Sequence, residues 1–116
     1  MTAPSPEEWS AALTAIGGAR EIALLCHVGP DGDALGSMLG LGAALRANGV
    51  AVAASFGASD GEPFAVPATY SFLPALDLLV RPEEFPSAPD VLVTFDTGSR
   101  DRLGSLGDRV TTSATT

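Results

Sequence analysis

The sequence predicts an α/β fold in which helices flank a parallel sheet. Apolar runs of strand length occupy residues 21–26, 50–55 and 91–95, and helical patterns lie before the first run and between the first two. Strands that are covered on both faces are continuously apolar rather than alternating, as the first run is. In such sheets ligands bind beyond the carboxyl ends of the strands, so a site is expected there.

The first predicted helix begins after Ser5. Serine is a favoured N-cap, Pro6 suits the first helical turn, and Glu8 completes a capping box. We expect the helix to run to about Ile16 and to end at the glycine pair 17–18, because glycine commonly follows the last helical turn.

The second predicted helix follows the first strand and ends at the Asn-Gly pair 48–49. Residues at helical spacing mark its buried face: Leu35, Met38, Leu39, Gly42 and Leu45. A glycine inside a helix costs about 1 kcal/mol relative to alanine. Gly40 and Gly42 are therefore expected to pack closely on the sheet.

The remaining segments carry weaker patterns. Residues 57–69 are rich in Gly, Pro and Ala and are expected to form a loop. Residues 70–80 are ambiguous and fit a short helical turn followed by an edge strand. A polar connection at 82–89 leads to the third strand, and residues 100–110 are expected to start another helix.

Length and composition limit the classes of protein. A chain of 116 residues suits one domain. With 46% hydrophobic and 17% charged residues it does not have the composition of a disordered protein. The net charge of −8 excludes a general basic face for nucleic acid. If the ligand carries phosphate, a metal cation is therefore the expected source of neutralising charge.

The expected location is the cytoplasm. Cys26 is the single cysteine, so an internal disulfide is excluded, which is consistent with a reducing compartment. The first eight residues carry no basic side chain, unlike a signal or transit peptide. Residues 34–45 form the longest uncharged helical stretch, and a membrane span takes about 20 residues. We therefore predict a soluble protein without a membrane partner.

The candidate site lies at the ends of the first and third strands. His27 ends the first strand, and Pro30 and Gly32 bend the chain that follows, so that Asp31 and Asp33 can point toward one position. Asp96 ends the third strand and can reach the same crevice. Two carboxylates and one imidazole suit Mn²⁺ or Mg²⁺, and a further carboxylate can bridge two cations.

The start of the second helix adds a candidate anion site. Backbone N–H groups near Gly36 and Ser37 are free at a helix N-terminus and favour negative charge. Arg100 and Arg102 follow the third strand but are better explained as solvated, or as paired with Asp101 and Asp108, than as phosphate ligands.

Each candidate also has a structural explanation. A single histidine is more often structural than a ligand. Asp-Gly-Asp is an ordinary turn sequence, and Asp33 suits the N-cap of the second helix. Asp96 could cap the turn formed by Thr97 and Gly98. Chance does not readily explain why the only histidine and three aspartates all fall at strand ends.

Two motifs resemble those of DHH-family phosphoesterases. The run HVGPDGDALGS at 27–37 is similar to the first family motif, and FDTGSRDRLG at 95–104 is similar to the second. YSFLP at 70–74 resembles a segment of the subgroup that cleaves short oligoribonucleotides and 3′-phosphoadenosine 5′-phosphate. The likeness covers nearly the whole chain and implies the N-terminal part of a Rossmann-like DHH domain over residues 1–116.

The resemblance implies a two-manganese hydrolase. By that likeness His27, Asp31 and Asp96 hold one Mn²⁺, Asp33 and Asp96 hold the second, and the three aspartates form the catalytic set. The implied partners are short RNA or a small nucleotide. The implied activity is that of a phosphodiesterase or phosphomonoesterase.

The chain also departs from the family pattern. The third family motif, Asp-His-His, supplies further ligands to the second metal, yet His27 is the only histidine. The later Asp ligand and the C-terminal substrate-binding domain are missing as well. The tail at 111–116 lies where the next strand is expected. We therefore expect a truncated chain that binds one Mn²⁺, with an unpaired sheet edge that favours aggregation.

Two other functions compete with this interpretation. One is a manganese-dependent inorganic pyrophosphatase of the same superfamily. The other is a non-catalytic metal-binding remnant, which the missing third motif supports. A nucleotide-binding module without hydrolysis is weaker, because the chain has neither Gly-x-Gly-x-x-Gly nor the Gly-Lys-Ser/Thr phosphate loop.

Overall fold

The computed structural model describes residues 3–57 and 63–116 and has the predicted α/β architecture. The strands are β1 (Glu21–Cys26), β2 (Ala51–Phe56) and β3 (Val91–Phe95). The helices are α1 (Pro6–Gly18), α2 (Gly32–Ala47) and the short α3 (Arg109–Thr112). Single 3₁₀ turns connect these elements, and a longer 3₁₀ segment spans Arg100–Leu106.

The sheet is parallel throughout, with β1 in the centre and the strand order β2-β1-β3. Cys26, the last residue of β1, pairs with Phe56 of β2 and with Phe95 of β3. All three strands therefore end at the same level. The residues that follow them, which include His27 and Asp96, lie side by side at the carboxyl edge of the sheet.

Each face of β1 contributes to a separate apolar cluster. Ile22, Leu24 and Cys26 pack with the buried face of α2. Ala23 and Leu25 point to the other face, where they pack with a second group: Phe85, Leu92, Leu103 and Leu106. Because both faces are covered, all of β1 after Glu21 is buried, which explains its continuously apolar sequence.

The predicted start of α1 is confirmed. The Ser5 hydroxyl accepts a hydrogen bond from the Glu8 N–H at 3.1 Å, and the Glu8 carboxylate accepts one from the Ser5 N–H at 3.3 Å. The helix continues through the glycine pair to Gly18, two residues beyond the predicted end. None of its residues is fully buried, and Trp9 and Leu13 are exposed.

The two glycines of α2 differ in their surroundings. A Cβ added at Gly42 would lie 2.8 Å from Leu78 Cδ1 and 3.0 Å from Leu24 Cδ1, so close packing explains this glycine. At Gly40, which is exposed, an added Cβ would meet no atom within 4 Å. The prediction of close packing is therefore right for Gly42 and wrong for Gly40, because Gly40 faces away from the sheet.

The predicted edge strand within 70–80 is reduced to one bridge. Leu79 bridges Ala54 of β2, and the Val80 N–H donates to the Ala54 carbonyl at 2.9 Å. A 3₁₀ turn at Leu76–Leu78 precedes this bridge, and another begins at Pro82. Since proline cannot donate a backbone hydrogen bond, the ladder does not continue past Arg81. The predicted helical turn is present at Ala68–Tyr70.

The segment after β3 is less regular than the single helix predicted for 100–110. Its 3₁₀ segment is interrupted at Gly104, where φ is 59°, and α3 follows. Thr115 then bridges Val91, and the Leu92 N–H donates to the Thr115 carbonyl at 2.8 Å. The outer edge of β3 is therefore paired at its start, which corrects the expectation of a wholly unpaired edge.

The predicted loop at 57–69 is irregular at Gly57 and at 63–67, while residues 58–62 lie outside the described residues. In the described ranges, no helix combines the length and the hydropathy that crossing a membrane requires.

Candidate metal site at the carboxyl edge

Strand register brings the imidazole and one carboxylate together. His27 and Asp96 directly follow the paired residues Cys26 and Phe95, so their backbones are neighbours. The His27 Nε2 lies 3.4 Å from an Asp96 carboxylate oxygen. His27 is only 6% exposed, whereas the Asp96 side chain is 57% exposed. The histidine thus forms the floor of the site, and Asp96 forms one wall.

The His27 ring is oriented by the backbone carbonyl of the next residue. Its Nδ1 lies 2.7 Å from the Val28 carbonyl oxygen. A carbonyl only accepts hydrogen bonds, so Nδ1–H is the donor in this pair, and Nε2 faces the site. A backbone acceptor on one ring nitrogen is the usual partner of a histidine whose other nitrogen binds a metal.

Asp31 is held by the start of α2. It is the N-cap of that helix, and its Oδ1 accepts a hydrogen bond from the Ala34 N–H at 2.9 Å. The second oxygen, Oδ2, lies 3.9 Å from the His27 Nε2. One oxygen therefore fixes the carboxylate while the other faces the site.

Asp96 occupies a left-handed backbone conformation, with φ of 55°. Aspartate tolerates this region better than most residues other than glycine. The conformation turns the chain out of β3 immediately after the strand, and the Thr97 hydroxyl then donates to the Ser99 carbonyl at 3.0 Å. A cap for the turn at Thr97 and Gly98 does not account for the approach of Asp96 to His27.

His27, Asp31 and Asp96 form a group that could hold a metal ion. One ligand atom from each residue lies within 4.8 Å of the others. Ligands at about 2.1 Å from an octahedral cation would be about 3 Å apart, so the observed separations need only small side-chain movements. One imidazole and two carboxylates suit a hard or intermediate cation.

The other predicted site residues lie around this group. Asp33 is exposed in the first turn of α2, and it is not a member of the group of three. Its suggested role as the helix N-cap is wrong, because Asp31 fills that position. Gly36 and Ser37 lie beyond the first turn of α2, which begins at Gly32. The free N–H groups that were expected near them for an anion therefore belong to earlier residues of the helix.

Arg100 and Arg102 are exposed. Their suggested pairing with Asp101 and Asp108 is not observed in the described residues, and Asp108 instead accepts a hydrogen bond from Arg109 at 2.9 Å. Across the described ranges neither arginine has a side-chain ion pair, which agrees with the solvated alternative.

The Arg100–Leu106 segment covers the carboxyl edge, a feature that the sequence analysis missed. The Val28 N–H donates to the Arg102 carbonyl at 2.8 Å. Gly57, directly after β2, lies so close to this segment that an added Cβ would be 1.9 Å from the Leu103 carbonyl oxygen. A glycine that follows a strand can signal such an approach, but it does not identify the partner.

The pKa of the Cys26 thiol is raised by burial and by the negative charge of the site. Burial, together with the nearby carboxylates of Asp31 and Asp96, raises this pKa to about 12. The thiol is fully buried beneath the site. It is therefore a packing residue rather than an available metal ligand.

No protein-family model matches the chain. The structure is similar to that of an exopolyphosphatase-related protein from Bacteroides fragilis, with a TM-score of 0.79 and 21% sequence identity. The match covers 95% of this chain and 33% of that protein. This chain therefore spans about a third of the length of its structural neighbour, and the likeness establishes that the two share an α/β fold.

Proposed function

We propose that this chain is the metal-binding part of a manganese-dependent phosphoesterase that acts on short oligoribonucleotides and on 3′-phosphoadenosine 5′-phosphate. The observation that carries the proposal is the group formed by His27, Asp31 and Asp96 at the carboxyl edge of the sheet. The two motifs that resemble those of DHH phosphoesterases contain these residues. The exopolyphosphatase-related neighbour supports phosphate-ester or phosphoanhydride chemistry in general, and manganese and the nucleotide substrates are our extension.

Each residue has a specific role in this proposal. His27 presents Nε2 to the cation because its Nδ1 is engaged by the Val28 carbonyl. Asp31 contributes the oxygen that does not cap α2. In this proposal Asp96 would serve two cations, and Asp33 would be a further ligand of the second. Bound divalent cations would supply an activated water and neutralise the charge of the phosphate.

A second candidate is hydrolysis of a phosphoanhydride, as in an inorganic pyrophosphatase or a polyphosphatase. The description of the structural neighbour as exopolyphosphatase-related favours it. It would use the same metal site and differ in the leaving group. Comparing pyrophosphate and tripolyphosphate with a diribonucleotide as substrates separates these two activities.

Calorimetric titration with Mn²⁺ tests the metal site. We expect binding of one equivalent with modest affinity, because three protein ligands leave several positions to water. Asp96→Asn is expected to weaken binding by at least about tenfold. Asp33→Asn should have a smaller effect, since only Asp96 is proposed to serve both cations. Equal affinities of the two variants would contradict the bridging role of Asp96.

Hydrolysis by this chain alone is expected to be very slow. His27 is its only histidine, so a second cation would lack the imidazole ligands that the resemblance implies. A manganese-dependent turnover of about 1–10³ s⁻¹ on a dinucleotide would contradict this expectation. A chain that binds no Mn²⁺ would overturn the proposed function, whereas binding without turnover would support the non-catalytic alternative for this chain.

A further inference from the structure

A groove of about 640 Å³ opens at the outer side of β2, apart from the group of metal ligands. Its lining includes Phe64, Arg81, Pro82, Leu106 and Arg109. The Val80 bond to Ala54 places Arg81 beside the last residues of β2, and the segment that covers Gly57 supplies Leu106. The groove therefore opens near the same carboxyl edge as the candidate metal site.

Two cationic side chains face this groove in a chain whose net charge is −8. Arg81 is exposed and, over residues 3–57 and 63–116, has no hydrogen bond or ion pair of its side chain. Arg109 is held in place, with Nε donating to the Pro86 carbonyl at 3.0 Å and another nitrogen donating to Asp108 at 2.9 Å. Glu83 also lines the groove and opposes the binding of an anion.

Phe64 lies between the groove and the loop that carries the metal ligand Asp31. Phe64 stacks on Phe56 with 4.5 Å between ring centroids and 24° between ring planes. The same Phe64 lines a second cavity, of about 220 Å³, whose other walls include Gly29 and Pro30. These two residues directly precede Asp31, so Phe64 borders both the groove that contains Arg81 and a cavity beside the metal-ligand loop.

We propose that this groove binds a nucleotide of an oligoribonucleotide, at a distance from the phosphate that is cleaved. The phosphate of the bound nucleotide would pair with Arg81 and Arg109, and its base would pack against Phe64. Guanidinium groups suit phosphate, and stacking on an aromatic side chain accepts any base. The inference rests on the proposed function, because it assigns the substrate a chain of at least two nucleotides rather than a single phosphate group.

Binding without metal isolates this groove. Fluorescence anisotropy of 3′-fluorescein-labelled tetraadenylate is measured in EDTA with the full 116-residue chain. Arg81→Ala is expected to weaken binding about fivefold. It should also reduce the slope of log affinity against log salt concentration by about 0.7, the value for one phosphate contact to a single strand. Glu83→Gln is expected to strengthen binding.

Arg20→Ala is the matched control, because it removes the same charge from an exposed arginine that precedes β1 at the opposite edge of the sheet. It should leave both affinity and salt slope unchanged. If Arg81→Ala and Arg20→Ala weaken binding equally, attraction is general and the groove assignment is overturned. Absence of tetraadenylate binding to the unchanged protein would overturn it as well.

A second pair of measurements tests the nucleotide assignment. Phe64→Leu retains an apolar side chain against Phe56 but removes the ring, so weaker tetraadenylate binding with an unchanged salt slope is expected. Unlabelled tetraadenylate should compete better than tripolyphosphate. If tripolyphosphate competes equally and Phe64→Leu has no effect, the ligand is a phosphate chain and the nucleotide assignment is overturned.

The metal site and the groove can fail separately. Asp96→Asn should abolish or weaken Mn²⁺ binding without weakening tetraadenylate binding in EDTA. If the unchanged protein binds no Mn²⁺, only the proposed function is contradicted. If Arg81→Ala binds tetraadenylate as well as the unchanged protein does, only the groove assignment is contradicted.

Discussion

The two ends of β3 carry the same residue type in opposite situations. Asp90 precedes the strand, and one of its carboxylate oxygens accepts hydrogen bonds from the backbone N–H groups of Arg20 and Glu21, at 2.9 and 3.1 Å. Asp96 follows the strand, and its carboxylate approaches His27 at 3.4 Å, a group that could share a metal ion with it. The Asp90 carboxylate is used in bonds at the amino edge of the sheet, while the Asp96 carboxylate is half-exposed at the carboxyl edge and can contact a ligand.

The difference follows from the direction of parallel strands. At the amino edge the Asp90 carboxylate meets backbone donors, and the backbone N–H of Thr115 also donates to the Asp90 carbonyl at 3.1 Å. At the carboxyl edge, Asp31 accepts one backbone hydrogen bond, from Ala34, whereas over residues 3–57 and 63–116 the Asp96 carboxylate accepts none. A cation can supply the missing positive charge at the carboxyl edge. Asp96 is therefore a candidate ligand, whereas Asp90 at the amino edge has a structural role.

The largest effect is expected from a substitution that disrupts the cover over the carboxyl edge. Gly57→Ala places a Cβ 1.9 Å from the Leu103 carbonyl oxygen, so backbone must move. We expect a loss of unfolding free energy of about 3 kcal/mol, at the upper end for overpacking. Thermal unfolding measures it, and Mn²⁺ titration should show weaker binding because Val28 loses its bond to Arg102.

Gly40→Ala is the control for this change. Its added Cβ meets no atom within 4 Å, and alanine favours the helix, so stability should rise by about 0.5–1 kcal/mol. Equal stability of the two glycine variants would contradict the close approach of Arg100–Leu106 to Gly57.

The next effect distinguishes the two aspartates. Asp96→Asn should weaken Mn²⁺ binding at least about tenfold while leaving the melting temperature nearly unchanged, since asparagine tolerates the same backbone conformation. Asp90→Asn should lower the melting temperature and leave Mn²⁺ affinity intact, because its hydrogen bonds hold β1 and β3 together. If both variants change the same property, the functional contrast between the two edges is wrong.

The smallest expected effect is a dependence of stability on pH in the acid range. Backbone hydrogen bonds from Arg20 and then Glu21 lower the pKa of Asp90. Its contribution to stability is therefore fully present above the unfolded pKa of about 3.9 and is lost as pH falls through the lower folded pKa. Urea unfolding of the unchanged protein and Asp90→Asn should differ at neutral pH and converge in acid. A constant difference down to pH 2 would contradict this assignment.

Local signals predicted most of the fold. The capping box at Ser5 and Glu8 and the buried face of α2 depend on neighbouring residues, and both occur as predicted. The edge at Leu79 and the cover at Leu103 depend on contacts between segments far apart in sequence. Periodicity carries no information on those contacts. In the segment that contains Leu103, the break at Gly104 also interrupts the helical pattern.

The candidate site divides in the same way. Placing His27 and Asp96 at strand ends needed only the apolar runs and the rule that parallel strands end at one edge. The sequence suggested Asp33 as the N-cap of α2, whereas the structure uses Asp31, because a turn sequence with two aspartates does not determine at which one the helix begins. The arginines of the groove were not predicted, because Arg81 and Arg109 come together only through the path of the chain around β2.

Val28 connects the two proposed binding regions. Its carbonyl orients the His27 ring, and its N–H is bonded to Arg102 in the segment that also provides Leu106 to the groove. A displacement of that segment would therefore alter the imidazole and the groove wall together. If a ligand in one region displaces that segment, it changes the affinity of the other region, and the two ligands then affect each other's binding by the same factor.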